Sequence, residues 1–152
     1  MLSNVIAAID EPQFAERWFG GTYIVSGTFI LEGRDITPAR ISEDIDPLYR
    51  ETARSKRARW PRGLTGFFII PIYCAPSFGE EVLACVRTRL PFRWAIWPEP
   101  MLYDTSRNAV TSREDFGLHG AAFRPYLNHL FETGLTRAAT LFGHKSVVSI
   151  GQ

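Results

Sequence analysis

The side chains able to do chemistry in this chain are few. Three histidines (His119, His129, His144) and two cysteines (Cys74, Cys85) are the imidazole and thiol groups that could form a zinc site. A zinc site needs such groups at short fixed spacings, and no C-x-x-C, H-x-x-x-H or H-E-x-x-H occurs. The phosphate loops G-x-x-x-x-G-K-[ST] and G-x-G-x-x-G are missing as well. Asp115-Phe116-Gly117 spells the magnesium-binding tripeptide of protein kinases, but the chain is too short for a kinase and has no companion motif. The reading is therefore no metal and no cofactor.

Nucleophilic catalysis would rest on Cys74, which ends an apolar run just before a turn. A free cysteine in that setting reads first as an inert core thiol. General acid–base work needs two ionisable groups in one cleft. Glu99, Asp104, Glu114, Asp115 and His119 fall on neighbouring loops and strand ends, so the catalytic candidates are His119 with Glu99 or Asp115. Nothing in their spacing forces them together.

Binding has two candidate segments. Residues 92–104 mix Trp, Tyr, Arg and Met, the types enriched in protein–protein hot spots. Glu99 stands there between Pro98 and Pro100, on a stiff backbone. The expected contacts are Arg93, Trp97, Glu99, Tyr103 and Asp104, against the plain alternative that the tryptophans are core. The second segment is basic. Arg50, Arg54 and Arg57 recur at i, i+4 and i+7 on one helix face, and Lys56, Arg59, Arg62 and Trp60 extend it. That pattern can contact phosphate or RNA. It can equally complement a helix C-terminus or be neutralised by Glu43, Asp44 and Asp46.

Charge segregation frames both segments. The 152 residues carry a net charge of +1. Residues 1–49 hold three bases and eight acids, residues 50–62 six and one, and residues 63–152 eight and seven. Blocks of −5, +5 and +1 cancel to near-neutrality, which argues against a dedicated nucleic-acid binder. The arginines are spread along the chain, so arginine content alone marks no site.

The elements that must position these residues follow from pattern. An apolar content of 45% and this length suit one globular domain over residues 1–152. Asp10-Glu11-Pro12 opens a short helix to Phe19. Residues 22–31 read as a strand, with Gly27 marking a bulge and Glu32-Gly33-Arg34-Asp35 turning a hairpin. Asp46-Pro47 starts a helix to about Arg59. Residues 66–74 form a strand covered on both faces, with Pro71 pointing to an edge or bulge. Ser77 and Glu80 match a capping box, and the helix behind them packs Val82, Val86 and Cys85 inward. Strands at 92–97, 101–104 and 109–111 lead to a long helix over 121–142. Its stripe is Phe123, Leu127, Leu130, Phe131, Ala138, Leu141 and Phe142. Gly134 permits a close crossing, Gly143 ends the helix, and a last strand covers 146–150.

The expected fold is α+β. A mainly antiparallel sheet of about five strands packs against two or three helices in a single layer, without βαβ alternation. No apolar run is long enough to span a bilayer, and Met1–Asp10 lacks the basic region of a secretory signal. Two cysteines are too few for a disulfide framework, so the expected address is cytoplasmic. The functional expectation is a non-catalytic protein-binding module, with a bacterial immunity or antitoxin-type inhibitor as its concrete form. A small metal-independent enzyme and, below it, an RNA binder are the alternatives. The expected partner is another protein. Nucleic acid and membrane are disfavoured, and a homodimer through an exposed sheet edge is compatible.

Overall fold

The computed structural model describes residues 4–9, 23–55, 65–88, 90–91, 96–113, 117–144 and 149–150. The expected helix at 10–19 and strand residues 92–95 lie outside them. The strands are β1 (Val5–Ile9), β2 (Tyr23–Glu32), β3 (Thr65–Ala75), β4 (Ile96–Pro98), β5 (Met101–Asp104), β6 (Ala109–Thr111) and β7 (Ser149–Ile150). The helices are α1 (Pro38–Ser55), α2 (Glu80–Arg87) and α3 (Gly117–Leu141).

The class is α+β, but the sheet is mixed. Its order is β1-β2-β3-β5-β6-β7, and β4 pairs with β3 ahead of β5. β2 and β3, β3 and β4, β3 and β5, and β6 and β7 run parallel, whereas β1–β2 and β5–β6 are antiparallel. The expected mainly antiparallel sheet is thus corrected, and so is the missing βαβ alternation. β2-α1-β3 and β3-α2-β5 are two consecutive βαβ units.

The hairpin reading of 32–36 hid this. Asp35, with φ of 57°, turns the chain into a helix. Thr37 caps that helix, its Oγ1 accepting from the Arg40 amide at 3.2 Å. Pro38 takes the first helical position. The stronger-looking start at Asp46-Pro47 is the middle of α1, with Pro47 inside the helix.

Helices cover both faces, which corrects the single-layer expectation. On one face Ile41, Ile45 and Leu48 of α1 and Val82 and Val86 of α2 pack on Phe29, Leu31, Ile69, Tyr73 and Leu102. On the other, Leu127, Leu130, Phe131, Leu135, Ala138 and Ala139 of α3 pack on Ile30, Phe68, Ile70, Ile72, Met101 and Tyr103. The alternation along β3 is what a strand buried on both sides requires. Handedness explains the arrangement. From β2 to β3 to β5 the chain steps one way across the sheet, and β6 to β7 continues that way on strands running oppositely. The usual right-handed crossover would lay α1 and α2 on one face and α3 on the other, which is how the two cores are divided.

At two glycines a helix and the sheet approach each other closely. A Cβ on Gly27 would stand 2.0 Å from Thr52 Oγ1 of α1, and one on Gly134 would stand 2.7 Å from Ile72 Cδ1. Gly27 keeps continuous register with Ile69, so it marks a helix crossing and no bulge. Gly134 performs the close crossing expected of it.

Pro71 is central, not at an edge. Ile69 O accepts from the Glu99 amide on the β4–β5 side of β3. In a parallel strand, alternate residues point both backbone groups the same way. Pro71 therefore directs its missing donor to the break where β4 has ended at Pro98 and β5 has not begun.

At the α2 start Gly79 is the N-cap without a side-chain hydrogen bond, so the expected Ser77–Glu80 capping box does not form. α3 ends as expected at Gly143, with φ of 81°. The His144 amide reaches Ala139 O, and the Gly143 amide reaches Thr140 O. Leu141 and Phe142, expected in the buried stripe, are exposed, and Leu135 and Ala139 take their place. The edge strand β1 carries a bulge between Val5 and Ala7 that turns Ile6 outward.

Candidate functional site

Among the described residues, three polar assemblies hold the candidate side chains and their partners. The first joins Glu99 and Arg113. Glu99 lies between β4 and β5, fixed by its amide on Ile69 O, and Arg113 follows β6. Arg113 Nη2 donates to Glu99 Oε1 at 2.6 Å, with the side chains 11% and 8% exposed. A carboxylate in this setting is an ion-pair partner first, because burial without a cation would be costly.

The second lies between β3 and α1. The fully buried Tyr73 donates its hydroxyl to Asp44 Oδ2 at 3.1 Å. Asp44 Oδ1 meets Arg40 Nε at 2.9 Å, one helical turn back. Burial, then the neighbouring Asp44 charge, drives the Tyr73 phenol far above its usual range.

The third is the β5–β6 turn. Asp104 Oδ1 accepts from the amides of Ser106 and Arg107, both at 2.9 Å, and from Ser106 Oγ at 2.7 Å. Ser106 Oγ lies equally close, 2.7 Å, to Pro76 O on the neighbouring loop. Asn108 takes φ of 52°, and its Oδ1 accepts from Tyr103 Oη at 2.7 Å. His144 Nε2 sits 3.0 Å from Thr105 O, tying the end of α3 to this turn.

The candidate residues do not converge. Glu99 is closed against Arg113, and Tyr103 is fully buried. Asp104 is half-buried within its own turn. Trp97 is half-buried, its ring over Gly66 and 5.5 Å from Phe68, as an ordinary core tryptophan would be. Arg50 is exposed on α1. Arg54 is exposed and fixed by Glu51 at 2.8 Å. Arg93, Arg57 and Asp115 lie outside the described residues. His119 falls in the first turn of α3, and its side chain is not described. The acidic block expected to neutralise the basic segment is split: Asp44 serves Tyr73 and Arg40, and Glu43 faces solvent.

The cysteines are separated. Cys74 packs in the α3-side core and Cys85 against the α1–α2 core, with the sheet between them. Burial first, and the Glu32 carboxylate second, push the Cys74 thiol up to about 12. At neutral pH it is a protonated, unreactive thiol. Among the described residues no three His, Cys, Asp or Glu side chains gather in a way that would hold a metal ion.

Sequence reasoning missed Arg113, Arg40, Asp44, Tyr73 and Asn108 as structural partners. Glu99 offered one usable signal: a carboxylate within an apolar stretch implies a cation nearby, although nothing in the sequence says which. No described helix is long and apolar enough to cross a membrane. The geometry defines a mixed-sheet domain with helices on both faces and internally paired polar groups. Comparison with protein families, curated proteins and solved structures gave no match.

Proposed function

We propose that this is a cytoplasmic binding protein that acts on another protein and does no chemistry of its own. The observation that carries the reading is the exposed apolar end of α3. Leu141 and Phe142 are 42% and 38% exposed, the largest such pair among the described residues apart from the isolated Ile6. Arg137 stands exposed one turn earlier on α3. The Phe142 ring lies 6.3 Å from Tyr103, and the His144–Thr105 bond holds the helix end in place. A rigid apolar pair beside charge has the character of an interface anchor.

The fate of the reactive groups gives secondary support. Cys74 is buried and protonated, and Glu99 is held by Arg113. The particular form proposed is an immunity or antitoxin-type inhibitor. It is supported by the acidic and basic blocks of the sequence, which would steer an oppositely charged partner.

The test is direct titration of the purified product of the neighbouring gene by calorimetry. Stoichiometric binding that Phe142→Ser weakens tenfold or more (roughly, for a buried aromatic anchor) is expected. No binding, or binding indifferent to both Leu141→Ser and Phe142→Ser, would remove the proposal.

A further inference from the structure

Among the described side chains of α1, six residues are exposed: Ala39, Glu43, Asp46, Pro47, Arg50 and Arg54. They form one stripe opposite the buried Ile41, Ile45 and Leu48. Charge along the stripe is ordered, with the acids toward the N-terminus and the bases toward the C-terminus. The positions are also symmetric about the midpoint between Asp46 and Pro47: 39 matches 54, 43 matches 50, and 46 matches 47.

We propose that this face pairs with the same face of a second copy of the chain, α1 lying antiparallel on α1 about a two-fold axis beside Pro47. Such an axis makes the interface self-complementary, so each contact occurs twice. Glu43 of each copy then meets Arg50 of the other.

Charge complementarity selects this occupant. A partner surface of a single sign would match one half of the stripe and repel the other, whereas a reversed copy matches both halves. Glu43 and Arg50 are about 10 Å apart along the helix, too far to pair with each other. Neither has an ion-pair partner among the described residues. The flanking arginines add little repulsion, because Arg40 is neutralised by Asp44 and Arg54 by Glu51. Asp46, near the axis, is engaged within its own chain. Pro47 offers a flat uncharged contact at the centre.

Pairing through solvated charges is weak and salt-sensitive. Sedimentation of the full chain at near-millimolar concentration tests it. Self-association is expected at low salt, weakened roughly tenfold or more at about 0.5 M salt. Glu43→Arg and Arg50→Glu should each be monomeric, since each sets like charges opposite one another twice. Their equimolar mixture should associate again, because both crossed contacts are then between opposite charges. A wild-type chain that stays monomeric at low salt overturns the proposal. Association that survives either reversal, or a mixture of folded variants that stays monomeric, does the same. Circular dichroism checks folding. Should a reversal unfold the chain, Glu43→Gln and Arg50→Gln replace it, and undiminished association by either is the overturning result.

Discussion

Glu99 and Arg113, fourteen residues apart, meet at 2.6 Å inside the fold, on either side of the β5–β6 hairpin. Removing one partner leaves the other's charge buried. Arg113→Met should therefore cost about 3–5 kcal/mol in chemical denaturation. The double variant Glu99→Met/Arg113→Met should recover most of that loss, because a matched apolar pair avoids the desolvation penalty. Equal losses in the single and double variants would mean that Arg113 contributes through packing alone.

Tyr73 and Asp44 form a smaller version of the same arrangement. Tyr73→Phe keeps the ring and deletes the donor to Asp44. A loss of about 1–3 kcal/mol is expected for the carboxylate left short of a hydrogen bond. Asp44→Ala should cost more, since it strands the phenol and the guanidinium of Arg40 together.

Gly134 gives a prediction in which two effects oppose each other. Alanine gains about 1 kcal/mol of helix propensity. Its Cβ, however, would stand 2.7 Å from Ile72 Cδ1 and 3.0 Å from Thr28 Cγ2. Overpacking of this kind costs roughly 1–3 kcal/mol, so Gly134→Ala should lower the melting temperature despite its propensity. A raised melting temperature would mean that α3 can shift away from the sheet freely.

Alkaline pH should destabilise the fold. The Cys74 thiol is raised from 9.0 to about 12, so the unfolded chain releases that proton first. Stability conferred by the buried neutral thiol is full below pH 9 and falls as pH rises toward 12. The slope is about 1.4 kcal/mol per pH unit for each such group. The buried Tyr73 phenol adds the same sign above pH 10. Denaturation midpoints at pH 7, 9 and 10.5 measure this, and Cys74→Ala should flatten the fall between the last two. A thiol reagent at pH 8 should modify Cys85, which is half-buried, well before Cys74.

How much of this was legible in the sequence differs by element. β2, β3, β5, β6, α2 and most of α3 follow from local pattern, because each owes its form to neighbours in sequence: β-branched runs, a helical apolar stripe, a turn at residues 105–108, a glycine at the helix end. The start of α1 was lost to a competing turn signal, since Gly33-Arg34-Asp35 fits a hairpin as well as a strand-to-helix turn. The address of Pro71 was lost because a missing donor points to an edge unless the neighbouring strand is itself broken opposite it. Only the pairing of β3 with both β4 and β5 supplies that break.

The sequence by itself determined the α+β class, the helix-forming and strand-forming segments and the buried character of β3. Those properties are encoded at spacings of two and between three and four residues, within reach of one element. Only the tertiary structure decided which strands run parallel, that helices cover both faces, and that Glu99, Asp44 and Tyr103 face inward partners. Those outcomes depend on long-range pairing, crossover handedness and the need to neutralise each buried polar group. Residues distant in sequence settle them together, and no local pattern records the choice.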